Sequence, residues 1–372
     1  MREYSLTLLI AAALTYMLTP LVQRLALKYR AVAQVRDRDI HTEATARWGG
    51  IAMWLSMGLT LLAVQNLELV GKSYSRELLG IFLAASFVLF IGILDDRFEL
   101  DAITKLAGQG LAAGILLLFG IQLLWLPING ILILPANIGQ LLTVLVVMII
   151  INAVNFVDGL DGLATGIVAI SAASFFGFAY LLAVENGFSR AGAPSLATAI
   201  VIGLCLGFLP HNIYPARIFM GDSGSMFLGL LLAASAITLM GQIDANAVFS
   251  EEIGPALLPL LLPFAVLAVP LLDFALAILR RIRRGKSPFA PDKDHLHHKL
   301  MKYGNSQQRT AVILYLATAM LAIPAMLSAF IPLWIALLSG PFLFLIALSI
   351  TKRKITEQTI TEQTITEQSQ RI

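Results

Sequence analysis

The residues able to carry polar chemistry gather in four short clusters. Asp95 and Asp96 stand side by side, followed by Arg97, at the close of an apolar run (FIGILDDRFEL). Adjacent carboxylates repel, so such a pair holds a proton or a cation; the plainer alternative is a charged helix end. The segment NAVNFVDGLDG at 152–162 carries Asn152, Asn155, Asp158 and Asp161 with no lysine or arginine among them. Spacings of three residues turn each like pair towards one helical face. Gly159 and Gly162 leave the backbone open to close approach. This oxygen-rich set suits a cation or sugar hydroxyls, and a polar turn with Asx caps is the alternative. A third cluster, FMGDSGS at 219–225, opens another apolar run. Asp222 there can cap a helix, or can hold a metal that grips an anion at the helix start. The fourth, PDKDHLHH at 291–298, supplies His295, His297 and His298. No standard zinc spacing fits it, so binding of a phosphate or sugar is favoured over a metal.

Oxygen ligands without thiolates indicate a hard cation, Mg²⁺ or Mn²⁺. Such an ion bridges substrate phosphates and neutralises developing charge. A carboxylate beside it can deprotonate or position a nucleophile. The lone cysteine, Cys205, lies in an apolar run. It excludes a disulfide framework and reads as a small buried hydrophobe.

The elements that must position these groups are membrane helices. Of 372 residues, 58% are hydrophobic and 13% charged, and the mean hydropathy is +0.82. Soluble domains carry about 25% charged residues. A helix crosses the hydrocarbon core with about 20 apolar residues. Runs of that kind fall near 5–27, 48–66, 78–94, 102–119, 138–154, 163–184, 195–209, 224–242, 256–279, 310–329 and 331–351, which predicts eleven spans. The first run exceeds a signal-peptide core and lacks a cleavage pattern, so it is expected to be a retained helix. With the N-terminus outside, the inside segments hold 20 Lys and Arg residues against 4 outside, as the positive-inside rule requires. That asymmetry accounts for the net charge of +3 without invoking nucleic acid. All four clusters then fall on the inner face.

The remaining segments fit around these spans. The outer segment 121–137 contains Asn129-Gly130 between β-branched and aromatic residues, a hairpin signal. The expected fold is therefore an all-α integral membrane domain over 1–351 with a small external β-hairpin. A low-complexity cytoplasmic tail, repeating ITEQT, follows at 352–372. Asp273 is the one carboxylate well inside a span, and RRIRR at 280–284 reads as a membrane-surface anchor. At a membrane surface, one substrate is expected to be a lipid and the other a soluble phosphate ester. The residues thus reach metal-dependent phosphoryl or phosphosugar transfer to a lipid, without identifying the sugar. A transporter would instead show paired repeats and polar groups at mid-membrane. No repeat stands outside the tail, and the clusters sit at span ends.

LDDR at 94–97, NAVNFVDGLDG at 152–162, RIFMGDSGS at 217–225 and PDKDHLHH at 291–298 resemble motifs of the polyprenyl-phosphate N-acetylhexosamine-1-phosphate transferases. Asp37 through His41 to Arg47-Trp48-Gly49-Gly50 resembles that family's first inner loop. The likeness covers roughly 1–350. It implies transfer of a phosphosugar from a UDP-N-acetylhexosamine to polyprenyl phosphate, with release of UMP, at the cytoplasmic face of a bacterial inner membrane. It also implies Asp222 as the principal Mg²⁺ ligand with Asn155 in or near its shell. Asp95 would deprotonate or orient the polyprenyl phosphate, supported by Asp96. Asn152, Asp158 and Asp161 would hold the nucleotide-sugar, with His295, His297 and His298 on its phosphates or sugar and Arg47 and Lys105 as further phosphate contacts. A homodimer is compatible with the likeness. The chain has Ala-Arg-Trp-Gly-Gly at 46–50 and His-Leu-His-His at 295–298, where the MurNAc-pentapeptide branch has a threonine-rich segment and three consecutive histidines. Glu99 also stands where that branch carries lysine. These departures resemble the GlcNAc branch, with UDP-MurNAc-pentapeptide as the alternative donor.

Overall fold

The computed structural model describes residues 1–32, 45–71, 73–126, 132–185, 192–241, 264–285, 295–302, 304–328, 330–332 and 334–341. Its helices are α1 (Arg2–Lys28), α2 (Gly49–Val64), a single turn α3 (Glu68–Gly71), α4 (Arg76–Phe98), α5 (Ala102–Leu118) and α6 (Ala136–Val157). They continue as α7 (Leu163–Glu185), α8 (Gly192–Asn212), α9 (Gly221–Gly241), α10 (Ala268–Arg283), α11 (Leu296–Lys302) and α12 (Gln307–Leu327). A further helix occupies 334–341. Seven of these are long and apolar enough to cross a membrane, and α2 and α5 are shorter apolar helices.

The bundle is sorted from the centre outwards. Every residue of α9 from Ser223 to Met240 is buried, enclosed by α2, α4, α6, α7 and α8. Outer helices expose large apolar side chains instead, among them Leu9 and Met17 on α1, Phe90 on α4 and Leu141 on α6. Apolar surface of this kind fits a lipid surround. Several hydroxyls within the bundle are satisfied along their own helices: Thr15, Ser56, Thr143, Thr198 and Thr318 each donate to the carbonyl four residues earlier. This local bond lets a polar side chain sit at membrane depth without a partner helix.

Two short strands, β1 (Trp125–Leu126) and β2 (Leu132–Ile133), pair antiparallel with Trp125 opposite Ile133. Their connecting turn, with Asn129-Gly130, lies outside the described residues. So do Asp37 and His41, the loop 291–294, the start of the 256–279 run, the end of the 331–351 run and the tail 352–372.

Helix ends are fixed by local capping. Ser75 caps α4, its hydroxyl accepting the Leu78 N–H at 3.2 Å. The helix closes on Glu99, which takes a left-handed φ of 50°. Asp101 then caps α5 by accepting the N–H groups of Ile103 and Thr104 at 3.0 and 3.1 Å. The turn between the two helices is thus only a few residues long, and it brings Lys105 back beside Asp95.

Candidate active site

Four turns meet at one end of the bundle. The segment 45–48 pairs with the strand-like stretch before α9: Ala46 bridges Val32 on one side and Ile218 on the other. The Phe219 N–H donates to the Ala46 carbonyl at 2.8 Å, and the Gly49 N–H to the Phe219 carbonyl at 3.1 Å. A Cβ on Gly50 would overlap the backbone of Gly224, and one on Gly92 would overlap that of Ser223. Both glycines are therefore needed where they stand, because the first turn of α9 presses directly on α2 and α4.

That first turn carries the centre of the site. Asp96 accepts the N–H groups of Asp222 at 2.9 Å and Ser223 at 3.1 Å. Gly221 enters with a φ of +70°, and any Cβ there would strike the Asp96 carboxylate. Asp95 faces elsewhere. One of its oxygens accepts the Leu100 N–H at 2.8 Å and the other is ion-paired with Lys105. The Lys105 ammonium also lies 2.8 Å from Asp222 Oδ2, so one cation bridges two carboxylates. Asp222 Oδ1 accepts from the Asn155 amide at 3.0 Å, and that amide also donates to Ser225 Oγ at 2.8 Å. Arg47 stands 3.9 Å from Asp96. Asp95, Asp96, Lys105, Asn155, Asp222 and Arg47 thus form one electrostatic cluster.

The other candidates surround it. Asp158, directly after α6, is half-buried, and among the described residues its carboxylate makes no hydrogen bond. Loss of water raises its pKa well above the usual carboxylate value, with the charges of Asp222 and Asp96 adding to the effect and Arg47 opposing it. Asp161 accepts the Ala216 N–H at 2.9 Å and ties the 158–162 turn to the stretch before α9. His297 is buried against Gly159, where a Cβ would overlap its ring. Among the described residues its Nε2 is buried without a hydrogen-bond partner. Burial, followed by the neighbouring rings of His298 and His295, pushes the His297 pKa down to about 3. The His295 and His297 rings stack with centroids 5.6 Å apart, and His298 lies 4.3 Å from His297.

Asn152 points away from this cluster. Its amide donates to Gln109 Oε1 at 2.6 Å and to the Met148 carbonyl at 2.7 Å, so it joins α6 to α5 one turn deeper than Asn155. Several positioning residues carry no local signal in the sequence. Asn212 accepts from Gly162 N–H and the Thr165 hydroxyl, and donates to the Ile218 carbonyl. The Tyr315 hydroxyl of α12 donates to the Gly162 carbonyl at 2.6 Å. An apolar cleft between α2 and α4, lined by Trp54, Gly58, Tyr74, Leu78 and Phe82, lies at the opposite end of α4 from Asp95 and takes no part in this cluster.

The donor chemistry of the cluster bears on a metal. Among the described residues, no group of three or more His, Cys, Asp or Glu side chains is arranged to hold an ion alone. Mg²⁺ characteristically takes one or two carboxylates and completes its octahedron with water and substrate phosphates. Asp222, with the carbonyl oxygen of Asn155 available by an amide flip, is a donor set of that size. The Lys105 ammonium already shows that positive charge is stabilised between Asp95 and Asp222. The residues fit the ion.

Comparison with known proteins agrees with this geometry. The model of glycosyl transferase family 4 matches residues 78–240, the stretch from α4 to the end of α9. The chain is 41% identical over 332 residues to the decaprenyl-phosphate N-acetylglucosaminephosphotransferase of Mycolicibacterium smegmatis, covering 87% of this chain and 82% of that one. It is 43% identical over 337 residues to the protein of the same name from Mycobacterium tuberculosis, covering 89% and 83%. It is also 31% identical over 323 residues to a probable undecaprenyl-phosphate N-acetylglucosaminyl 1-phosphate transferase of Bacillus subtilis, covering 86% and 83%. With a helical membrane bundle and acidic turns gathered at one end, the chain belongs to glycosyl transferase family 4, among the polyprenyl-phosphate N-acetylglucosamine-1-phosphate transferases.

Proposed function

We propose that this enzyme transfers GlcNAc-1-phosphate from UDP-GlcNAc to a polyprenyl phosphate at the cytoplasmic face of a bacterial inner membrane. A phosphate oxygen of the lipid attacks the β-phosphorus of the nucleotide-sugar, the bond to UMP breaks, and a lipid-linked pyrophosphoryl sugar remains. The observation that carries this reading is the convergence of Asp95, Lys105, Asn155 and Asp222 around one point at a span end. Asp222 with Asn155 would hold Mg²⁺, which when bound screens the charge of the diphosphate. Asp95 orients the attacking lipid phosphate, while Lys105 and Arg47 bind phosphate oxygens. Asp158, Asp161 and the three histidines line the side for the nucleotide-sugar. The names of the relatives support the N-acetylglucosamine donor.

The decisive assay gives purified protein a polyprenyl phosphate and a panel of UDP-sugars, with and without Mg²⁺, and measures UMP. Metal-dependent release with UDP-GlcNAc, lost in Asp222→Ala, is the expected result. Release only with UDP-MurNAc-pentapeptide would overturn the donor assignment, and full activity of the variant would overturn the metal site. The orientation and the eleven-span topology, with the N-terminus outside, are part of this proposal. They are supported by the 20 to 4 distribution of Lys and Arg. Cysteines introduced at Arg217 and Arg284 should label from the cytoplasmic side only, against a near-silent background because Cys205 is buried. Labelling of the two from opposite sides would refute the topology.

A further inference from the structure

Asp273 is a buried carboxylate within α10 that the chemistry above does not use. Its Oδ2 lies 3.1 Å from His295 Nδ1, and its Oδ1 accepts the Leu296 N–H at 2.9 Å. An ionised carboxylate only accepts hydrogen bonds, so the shared hydrogen belongs to Nδ1. The other ring nitrogen, Nε2, is then the one available to a ligand. The ring is also fixed by its faces. Phe156 lies 5.4 Å from it, His297 stacks on it within 3° of parallel, and the Arg281 guanidinium sits 5.0 Å over Phe156. Phe156 directly follows Asn155, whose amide reaches Asp222. The Asp273–His295 pair is therefore built onto the residue beside the centre of the cluster, although the two partners are 22 positions apart in sequence.

We propose that Asp273 is a positioning residue for the nucleotide-sugar. It fixes the His295 ring with Nδ1–H towards itself, so that Nε2 meets the diphosphate of the donor. With Nδ1 engaged by the Asp273 carboxylate at 3.1 Å, Nε2 is the ring nitrogen left to face the donor, and the carboxylate behind the ring keeps it there. Its second oxygen, by holding the Leu296 N–H, fixes the start of α11 and with it the height of the ring. The inference rests on His295 contacting the donor, as set out above.

The test is a double-mutant cycle on the full-length protein in detergent, reading KM for UDP-GlcNAc and kcat for UMP release. Asp273→Asn keeps one acceptor but loses the charge and the second hydrogen bond. It should raise KM roughly 10-fold with a smaller change in kcat. His295→Ala should raise KM at least as much. The double variant should fall well short of the product of the two single effects, because Asp273 acts through that ring and the start of α11 beside it. Additive losses would mean a merely structural carboxylate and overturn the proposal. An impaired His295→Ala beside a normal Asp273→Asn would overturn it alone, while a normal His295→Ala would remove the donor-contact reading beneath it. If Asp273→Asn does not fold, Asp273→Glu retains a carboxylate. Its expected rise in KM is smaller and must shrink in the His295→Ala background; an undiminished rise there overturns the proposal.

Discussion

Asp96 holds the backbone of Asp222 with its carboxylate. Its two oxygens take the N–H groups of Asp222 and Ser223 at 2.9 and 3.1 Å, so neighbouring aspartates do different work. Asp95 is ion-paired with Lys105, whereas Asp96 caps the helix on which Asp222 stands. Asparagine at 96 keeps one acceptor and turns an NH₂ group towards an N–H. Asp96→Asn should therefore lower folding stability by about 1–3 kcal/mol, read as a reduced thermal midpoint in detergent. Asp95→Asn should reduce turnover far more than it lowers the midpoint. Equal midpoints for wild type and Asp96→Asn would contradict this division.

Close approach of α4 to the start of α9 leaves no space for a methyl group. Gly92→Ala would drive a Cβ into the Ser223 backbone. Overpacking of this kind costs about 1–3 kcal/mol, and here it also displaces Asp222. Activity should fall more steeply than stability. Gly114 has nothing within 4 Å of a Cβ, so Gly114→Ala should be neutral or stabilising by about 0.5–1 kcal/mol. Similar behaviour of the two variants in thermal unfolding and UMP release would count against the packing argument.

Lys105 stands where a second cation would be welcome. Lys105→Met leaves Asp95 and Asp222 facing each other uncompensated. In metal-free buffer the variant should unfold at a lower temperature than wild type. Millimolar Mg²⁺ should return more stability to it than to wild type, since only in the variant is the place of the ammonium vacant. A variant whose midpoint ignores Mg²⁺ would argue that these oxygens do not bind the ion. The readout is thermal unfolding and needs no substrate.

The histidine segment makes stability depend on acid. In the unfolded chain a histidine titrates near 6.5, but buried His297 is pushed down to about 3. Between those values the unfolded chain binds a proton that the folded chain refuses. Folding stability from this residue is therefore complete above about pH 6.5 and declines as pH falls, by at most about 1.4 kcal/mol per unit. His297→Gln should flatten the thermal midpoint between pH 6.5 and 5 relative to wild type. Parallel profiles would show that His297 is not buried neutral.

Much of this arrangement was legible because membrane helices obey a length rule. The runs at 78–94 and 224–242 became α4 and α9 with their ends shifted by only a few residues. Capping side chains were equally readable, as Asp101 shows. Contacts distant in sequence were not. Nothing local announces that Asp96 will cap a helix more than a hundred residues later, or that Asp273 will meet His295. The spacing of Asn152 and Asn155 suggested a shared face. Three residues, however, fall about 60° short of a full turn and about 4.5 Å along the axis. That offset is enough to aim Asn152 at Gln109 while Asn155 reaches Asp222. Gly92 gave no warning of its importance, since a tolerated small residue and a required one look alike until the neighbouring backbone is known.

Because α9 is walled in by five helices, the aspartate at its tip is set on a rigid support. The rim is built differently: α11 is a helix of seven residues whose start is held by Asp273. On the proposed reading, a new sugar preference would arise by redrawing that rim, while the seat of the phosphate chemistry stays as it is.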